Sequence, residues 1–197
     1  MGNYKMGWRF RTKGISVLMV LMVLMVLMGI VAGCANTNTL SSAIRYGDMK
    51  LVEQYLPVGA DINQKDEQGY TLLMNAVYRN HYDIAQYLLK RGAKVDLKGN
   101  DGYTALMVAA DFNYVAIGKL LLEQNPDVNA RAQDGATPLI TAVRHNYVVF
   151  ARMLLEKGAD PNLTDNMGNS ALTYAELNYY EHNPTAAADD MRRLLTR

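Results

Sequence analysis

The chain has a single cysteine, Cys34, among 197 residues. One thiol cannot close an intrachain disulfide, so no disulfide framework supports the fold. The histidines are His81, His145 and His182. No two of them are spaced as metal ligands on one helix, and no cysteine is free to join them, so no metal site is expected. Beyond the N-terminal segment the serines are Ser41, Ser42 and Ser170, and none sits in a G-x-S-x-G elbow. A glycine-rich phosphate loop is also missing. With no converging acid, base or nucleophile, neither an enzyme nor a cofactor is expected. The chain has no dense basic patch either. Its formal charge of +1 includes Lys5, Arg9, Arg11 and Lys13, which precede Cys34 with no acidic residue among them. Past that segment sixteen basic residues face nineteen acidic ones, a net of −3. A mildly acidic body argues against a nucleic-acid surface.

The N-terminus reads as an address. Residues 1–14 are basic, and Val17 to Met28 repeats Val-Leu-Met. The run closes on Gly29-Ile30-Val31-Ala32-Gly33-Cys34. A charged start, an apolar stretch and small residues before a cut are the three parts of a secretory signal. Val31-Ala32-Gly33-Cys34 resembles the lipobox of bacterial lipoproteins. The resemblance implies that residues 1–33 are removed and that Cys34 carries a diacylglyceryl thioether, usually with an acylated amine. Two or more acyl chains anchor stably. Ala35, rather than Asp, after the cysteine implies the periplasmic face of the outer membrane in an enteric sorting pattern. The alternative is an uncleaved inner-membrane anchor, since Ile15 to Ala32 is just long enough to span. Residues 34–39 form the tether; the five from Ala35 to Thr39 reach at most about 17 Å, which keeps the body near the bilayer.

From residue 40 onward the chain repeats itself. Gly69-Tyr70-Thr71-Leu72-Leu73 recurs as Gly102-Tyr103-Thr104-Ala105-Leu106, as Gly135-Ala136-Thr137-Pro138-Leu139 and as Gly168-Asn169-Ser170-Ala171-Leu172. The glycines stand thirty-three residues apart without drift, which marks a stacked repeat array. In each unit the glycine marks a tight turn, and Thr71, Thr104, Thr137 or Ser170 offers a helix N-cap. Paired apolar residues then define one helical face. Gly47, Asn80, Asn113 and Asn146, again at the same period, tolerate the left-handed conformation that closes a helix. A second helix with a Leu-Leu pair follows, ending at Gly59, Gly92, Asn125 or Gly158. Gly118, inside such a helix, reads as a close helix contact, because Ala85 and Ala151 fill the equivalent place.

This pattern resembles the ankyrin repeat. Asp134-Gly135-Ala136-Thr137-Pro138-Leu139 and Leu154-Leu155-Glu156-Lys157-Gly158-Ala159-Asp160 carry the closest match. The resemblance implies an all-α solenoid of helix-turn-helix units with short β-hairpin-like tips over residues 40–197, preceded by a signal-peptide helix. Its units are about 36–68, an N-terminal cap, then 69–101, 102–134, 135–167 and 168–197, a C-terminal cap. The histidine of the family motif is replaced by Met74, Met107, Ile140 and Thr173, which removes the turn-stitching bonds that histidine makes in the family. The last unit has seven extra residues around Asn178 to Pro184, in either a longer first helix or a longer loop. Its terminal apolar pair is Leu194-Leu195, with Asp189, Asp190, Arg192 and Arg193 facing solvent.

The function implied by the resemblance is recognition of a protein partner in a concave groove. The positions it places there are Arg45, Tyr46, Tyr70, Tyr78, Arg79, Tyr103, Asp111, Phe112, Arg144 and His145. Aromatic and Arg side chains are the types enriched at binding hot spots. The alternative is that the tyrosines pack on neighbouring repeats and the arginines are merely solvated. His145 reads as an ordinary exposed histidine. Gln64, Lys65, Lys98, Asn100, Arg131, Gln133 and Asp165 at the tips are lesser candidates. The expected whole is a monomeric, lipid-anchored adaptor or scaffold in the cell envelope, and the alternative role is an inhibitor or immunity protein for a toxic enzyme.

Overall fold

The computed structural model describes residues 40–56, 61–181 and 186–196. The signal-peptide, lipobox and tether readings, together with Gly59, His182 and Pro184, lie outside these residues. The described body begins where the repeats begin, and residues 40–197 form one compact unit.

Ten helices are present among the described residues. They are α1 (residues 40–46), α2 (Met49–Tyr55), α3 (Leu72–Tyr78), α4 (Tyr82–Lys90) and α5 (Ala105–Asp111), followed by α6 (Val115–Leu122), α7 (Pro138–Arg144), α8 (Val148–Glu156), α9 (Ala171–Glu181) and α10 (Ala186–Leu195). From α3 onward, each odd helix opens on the expected hydroxyl. Thr71, Thr104 and Thr137 accept from the backbone N–H three residues on, at 3.2, 3.3 and 3.2 Å. Pro138 stands at the first position of α7, where the missing N–H costs nothing. The helices then close on left-handed residues: Asn80, Asn113 and Asn146 have φ of 58°, 55° and 58°. Asn tolerates this region better than other side chains, so the chain reverses within two residues and starts the second helix.

The odd helices pack as one row, α3 on α5, α5 on α7 and α7 on α9. The even helices form the second row, α2 on α4, α4 on α6, α6 on α8 and α8 on α10. Between the rows runs one continuous core from Leu40 to Met191. Its repeated members are Leu73, Leu106 and Leu139 from the first row and Ile84, Ile117 and Phe150 from the second. Short helices of this kind do not hold alone in water, so their stability comes from stacking. Gly118 shows how tightly the second row is set. A Cβ there would lie 2.6 Å from the Phe150 ring, so the expected close contact is present.

The tips are minimal hairpins, with isolated antiparallel bridges at Lys65–Thr71 and Thr164–Ser170 and no sheet among the described residues. Neighbouring tips are stitched by Gln133 N–H to the Asp101 carbonyl and Asn166 N–H to the Asp134 carbonyl, both at 2.9 Å. Side chains reinforce the seam. Lys65 Nζ donates to the Lys98 carbonyl at 2.7 Å, Lys98 Nζ to the Arg131 carbonyl at 2.8 Å, and Gln133 to the Asn100 carbonyl. The seam therefore forms without the family histidine. In its place Met74 Sδ and Met107 Sδ turn back on their own repeat and accept weakly from the N-cap N–H, each at 3.5 Å. Gly102 also faces the seam. Its φ is +80°, and a Cβ would come within 2.7 Å of the Gln133 nitrogen.

Part of the extra length of the last unit goes into its first helix. α9 has 11 residues, against 7 in α3, α5 and α7. α10 packs back on α9 and α8, but its deepest residues are Ala188 and Met191. Leu194 and Leu195, in the last turn of α10, are only half-buried against the core. Asp189 pairs with Arg193 at 2.6 Å on the outer side.

Candidate interaction face

Of the first-row helices, α3, α5 and α7 end at the same register position. Tyr78, Asp111 and Arg144 are the last helical residues of α3, α5 and α7, and Arg79, Phe112 and His145 are their C-caps. Arg45 and Tyr46 end α1. Because the units are in register, these side chains line up as a row across the stack. Three are large, apolar and open to solvent: Tyr46 is 80% exposed, Tyr78 44% and Phe112 40%.

The row is an ordered set of contacts. The Tyr78 and Phe112 rings meet edge to face, with centroids 5.2 Å apart and planes at 85°. Such pairs add about 0.5–1.5 kcal/mol beyond burial. Phe112 then stacks on Tyr114 at 5.5 Å, and the Arg79 guanidinium lies 5.5 Å above the Tyr78 ring. One repeat further, His145 Nε2 meets Asp111 Oδ1 at 3.0 Å, and its ring stacks on Tyr147 at 5.5 Å. Tyr114 and Tyr147 were not among the expected residues. Both directly follow a left-handed Asn, which swings the next side chain back beneath the row, and that spacing is the signal that could have found them.

Three other nominated residues turn inward toward the tips. Tyr70 OH donates to Asp101 Oδ2 at 2.5 Å. Burial, then the Asp101 carboxylate, push its phenol well above the ordinary value of 10. Tyr103 is half-buried against the core, and burial followed by the charges of Asp111 and Asp134 raises its phenol too. Arg144 Nη1 donates to Asp134 Oδ2 at 3.0 Å, while Nη2 donates to Asp165 Oδ2 at 2.8 Å and to Tyr174 OH at 3.2 Å. Its guanidinium also stacks 4.8 Å from the Tyr174 ring. Burial alone would weaken the charge on Arg144, but the hydrogen bonds to Asp134, Tyr174 and Asp165 hold it protonated.

Asp165 corrects one expectation. Offered as a lesser binding candidate at the tips, where a lone charge usually faces solvent, it is 4% exposed. Its Oδ1 accepts from the N–H groups of Met167 and Asn169 at 2.9 and 3.0 Å, and its Oδ2 also accepts from Tyr174 OH at 2.6 Å. It is the internal acceptor that closes the last turn. Lys65, Lys98, Asn100 and Gln133 are likewise engaged in the seam, whereas Arg131 stays exposed with its backbone carbonyl used by Lys98. Among the described residues no group of three His, Cys, Asp or Glu could hold a metal ion.

Two sequence profiles match this architecture. One, described as ankyrin repeats in three copies, covers residues 40–132; a second, described as ankyrin repeats in many copies, covers residues 120–175. The chain belongs to the ankyrin-repeat family. No curated protein gives a significant match to it. The matched span stops before the end of α9, where the lengthened helix leaves the repeat pattern. Ankyrin repeats serve in general as protein-binding modules and typically carry no catalysis. The row from Tyr46 to His145 is the part of this ankyrin stack that offers exposed aromatic and charged side chains at adjacent helix ends.

Proposed function

We propose that this ankyrin chain is a lipid-anchored adaptor of a bacterial cell envelope, facing the periplasm from the outer membrane and holding a protein partner on its first-row helix ends. The observation that carries the binding half is the exposed set Tyr46, Tyr78 and Phe112, with Arg79 lying over the Tyr78 ring. Large rings with a polar or charged edge are the groups that dominate interface energies. The anchoring half is supported by Val31-Ala32-Gly33-Cys34 behind a charged and then apolar leader. A tether fixes the encounter near the membrane and raises the effective concentration of a partner there.

Affinity capture from crosslinked envelopes tests both halves. Wild type is expected to retain a defined partner, and Tyr78→Ala, Arg79→Ala and Phe112→Ala together are expected to release it while circular dichroism stays unchanged. Cys34→Ser is expected to abolish the acyl-cysteine mass and to leave the leader uncut. An identical mature mass in that variant refutes the lipobox reading. A captured enzyme that loses its activity in the complex would make the role inhibition rather than assembly.

A further inference from the structure

One diagonal pair crosses each boundary between neighbouring first-row helices. It joins a residue near the end of one first-row helix to the residue 34 positions on, in the next repeat. In three of the four boundaries these residues meet. The Tyr78 and Phe112 rings are 5.2 Å apart, Asp111 and His145 share a 3.0 Å hydrogen bond, and Asn178 Nδ2 donates to the Arg144 carbonyl at 3.3 Å. The fourth boundary, between α1 and α3, places Arg45 and Arg79 in the same relation. The end of α1 is held there by His81, whose Nε2 lies 3.4 Å from the Arg45 carbonyl.

Two cations thus occupy positions that elsewhere in the stack hold touching partners. Both side chains are exposed, and among the described residues neither forms an ion pair with a carboxylate. Two unit charges in water would repel by only about 1 kcal/mol even at about 4 Å, a cost a fold can bear. It becomes attraction once an anion lies between them, and the guanidinium fork matches a carboxylate. Arg79 is further oriented by the Tyr78 ring beneath it. Beside the two cations stand the exposed Tyr78–Phe112 edges, an apolar seat for a neighbouring side chain. The rest of the body carries net negative charge, which disfavours an anionic bilayer or a nucleic acid and leaves a local site.

Resting on the reading that this face holds a protein partner, we propose that Arg45 and Arg79 form a carboxylate clamp. The bound segment is acidic, with an Asp or Glu between the two guanidiniums and an adjacent apolar side chain against Tyr78 and Phe112.

Selection of a random peptide library on the full-length chain in detergent tests this. Wild type is expected to enrich peptides with Asp or Glu next to an aromatic or aliphatic residue. Arg45→Glu with Arg79→Glu is expected to lose those peptides by at least about tenfold and to enrich Lys or Arg instead, while Arg45→Gln with Arg79→Gln only loses them. Absence of acidic enrichment, or acidic enrichment indifferent to charge reversal, overturns the clamp. If such peptides still need Tyr78 and Phe112, the interaction face survives without it. If they are indifferent to all four positions, or no peptide is enriched, the face falls with the clamp. Displacement of the acidic peptides by monomeric short-chain phosphatidylglycerol would assign the two arginines to a lipid phosphate and overturn the peptide reading.

Discussion

Arg144 Nη2 donates to Asp165 Oδ2 at 2.8 Å, from the end of α7 to the turn that precedes α9. The aspartate side chain is 1% exposed and the arginine 26%. Removing the arginine would leave a buried carboxylate without its ion-pair partner, and Asp134 would lose its partner as well. Arg144→Met is therefore expected to lower the unfolding free energy by about 2–3 kcal/mol, somewhat less than for a fully buried pair. Arg144→Lys should recover little, because one ammonium cannot reproduce the fork that reaches both aspartates. Urea unfolding of the two variants checks this, and a loss under about 0.5 kcal/mol for Arg144→Met would mean that the cluster contributes little to stability.

The same cluster makes stability depend on acid. Burial pushes the Asp165 carboxyl upward, but donors from Tyr174, Asn169, Arg144 and Met167 outweigh it and hold the pKa below the ordinary 3.8. Asp134 is lowered likewise, with burial outweighed by the Ala136 N–H and by Arg144. A carboxylate depressed on folding stabilises above its unfolded pKa, and that contribution is lost as pH falls through the lower folded value. The urea midpoint should stay level from neutral pH down to about 5 and fall below about 4. Asp165→Asn should start lower and fall less steeply. An equal acid slope in both proteins would place the effect elsewhere.

Gly118 faces Phe150 with no room for a methyl group. Ala is the better helix former by about 1 kcal/mol, so propensity alone predicts that Gly118→Ala stabilises. Overpacking a closed core costs about 1–3 kcal/mol, and the Phe150 ring is fully buried. The net expectation is destabilisation by about 1 kcal/mol. Phe150→Leu should make the second substitution harmless, giving a favourable coupling in the double-mutant cycle. Additive effects would mean that the ring shifts without cost.

The backbone of this fold was legible because each constraint is local. A glycine at a tight turn, a hydroxyl two residues on and an Asn at a helix end mark φ and capping directly in the chain, and their period exposes the stack. The site was less legible because its contacts join different repeats. Asp66 and Asp165 hold their own turns, but the equivalent positions carry Gly99 and Ala132, and there Asp101 and Asp134 take over from two residues later. Nothing in the period announces that exchange, or that Arg144 would reach both kinds of aspartate. Tyr114 and Tyr147 were missed for a related reason: they follow the closing Asn, whereas the nominated positions were the pair before it, and only the contacts with Phe112 and His145 bring them into the row.

Asn146 offers a test of one buried polar atom. Its φ is 58°, and its Oδ1 is buried without a hydrogen-bond partner among the described residues. Asn80 and Asn113 share the conformation, with φ of 58° and 55°, but are exposed, so water can serve their amides. Glycine adopts this φ without strain and would delete the orphan acceptor, at the cost of a more flexible unfolded chain. An unsatisfied buried acceptor costs about 1–3 kcal/mol, which exceeds that entropic loss. Asn146→Gly is expected to raise the unfolding free energy by about 1 kcal/mol, while Asn80→Gly and Asn113→Gly stay within about 0.5 kcal/mol of wild type. Asn146→Ala separates the two causes, since it removes the same acceptor but forces a Cβ into the left-handed region at about 1–2 kcal/mol. Stabilisation by Gly and not by Ala is the pattern expected from thermal unfolding. If all three glycine variants shift together, backbone strain alone accounts for the change and the lone acceptor costs nothing.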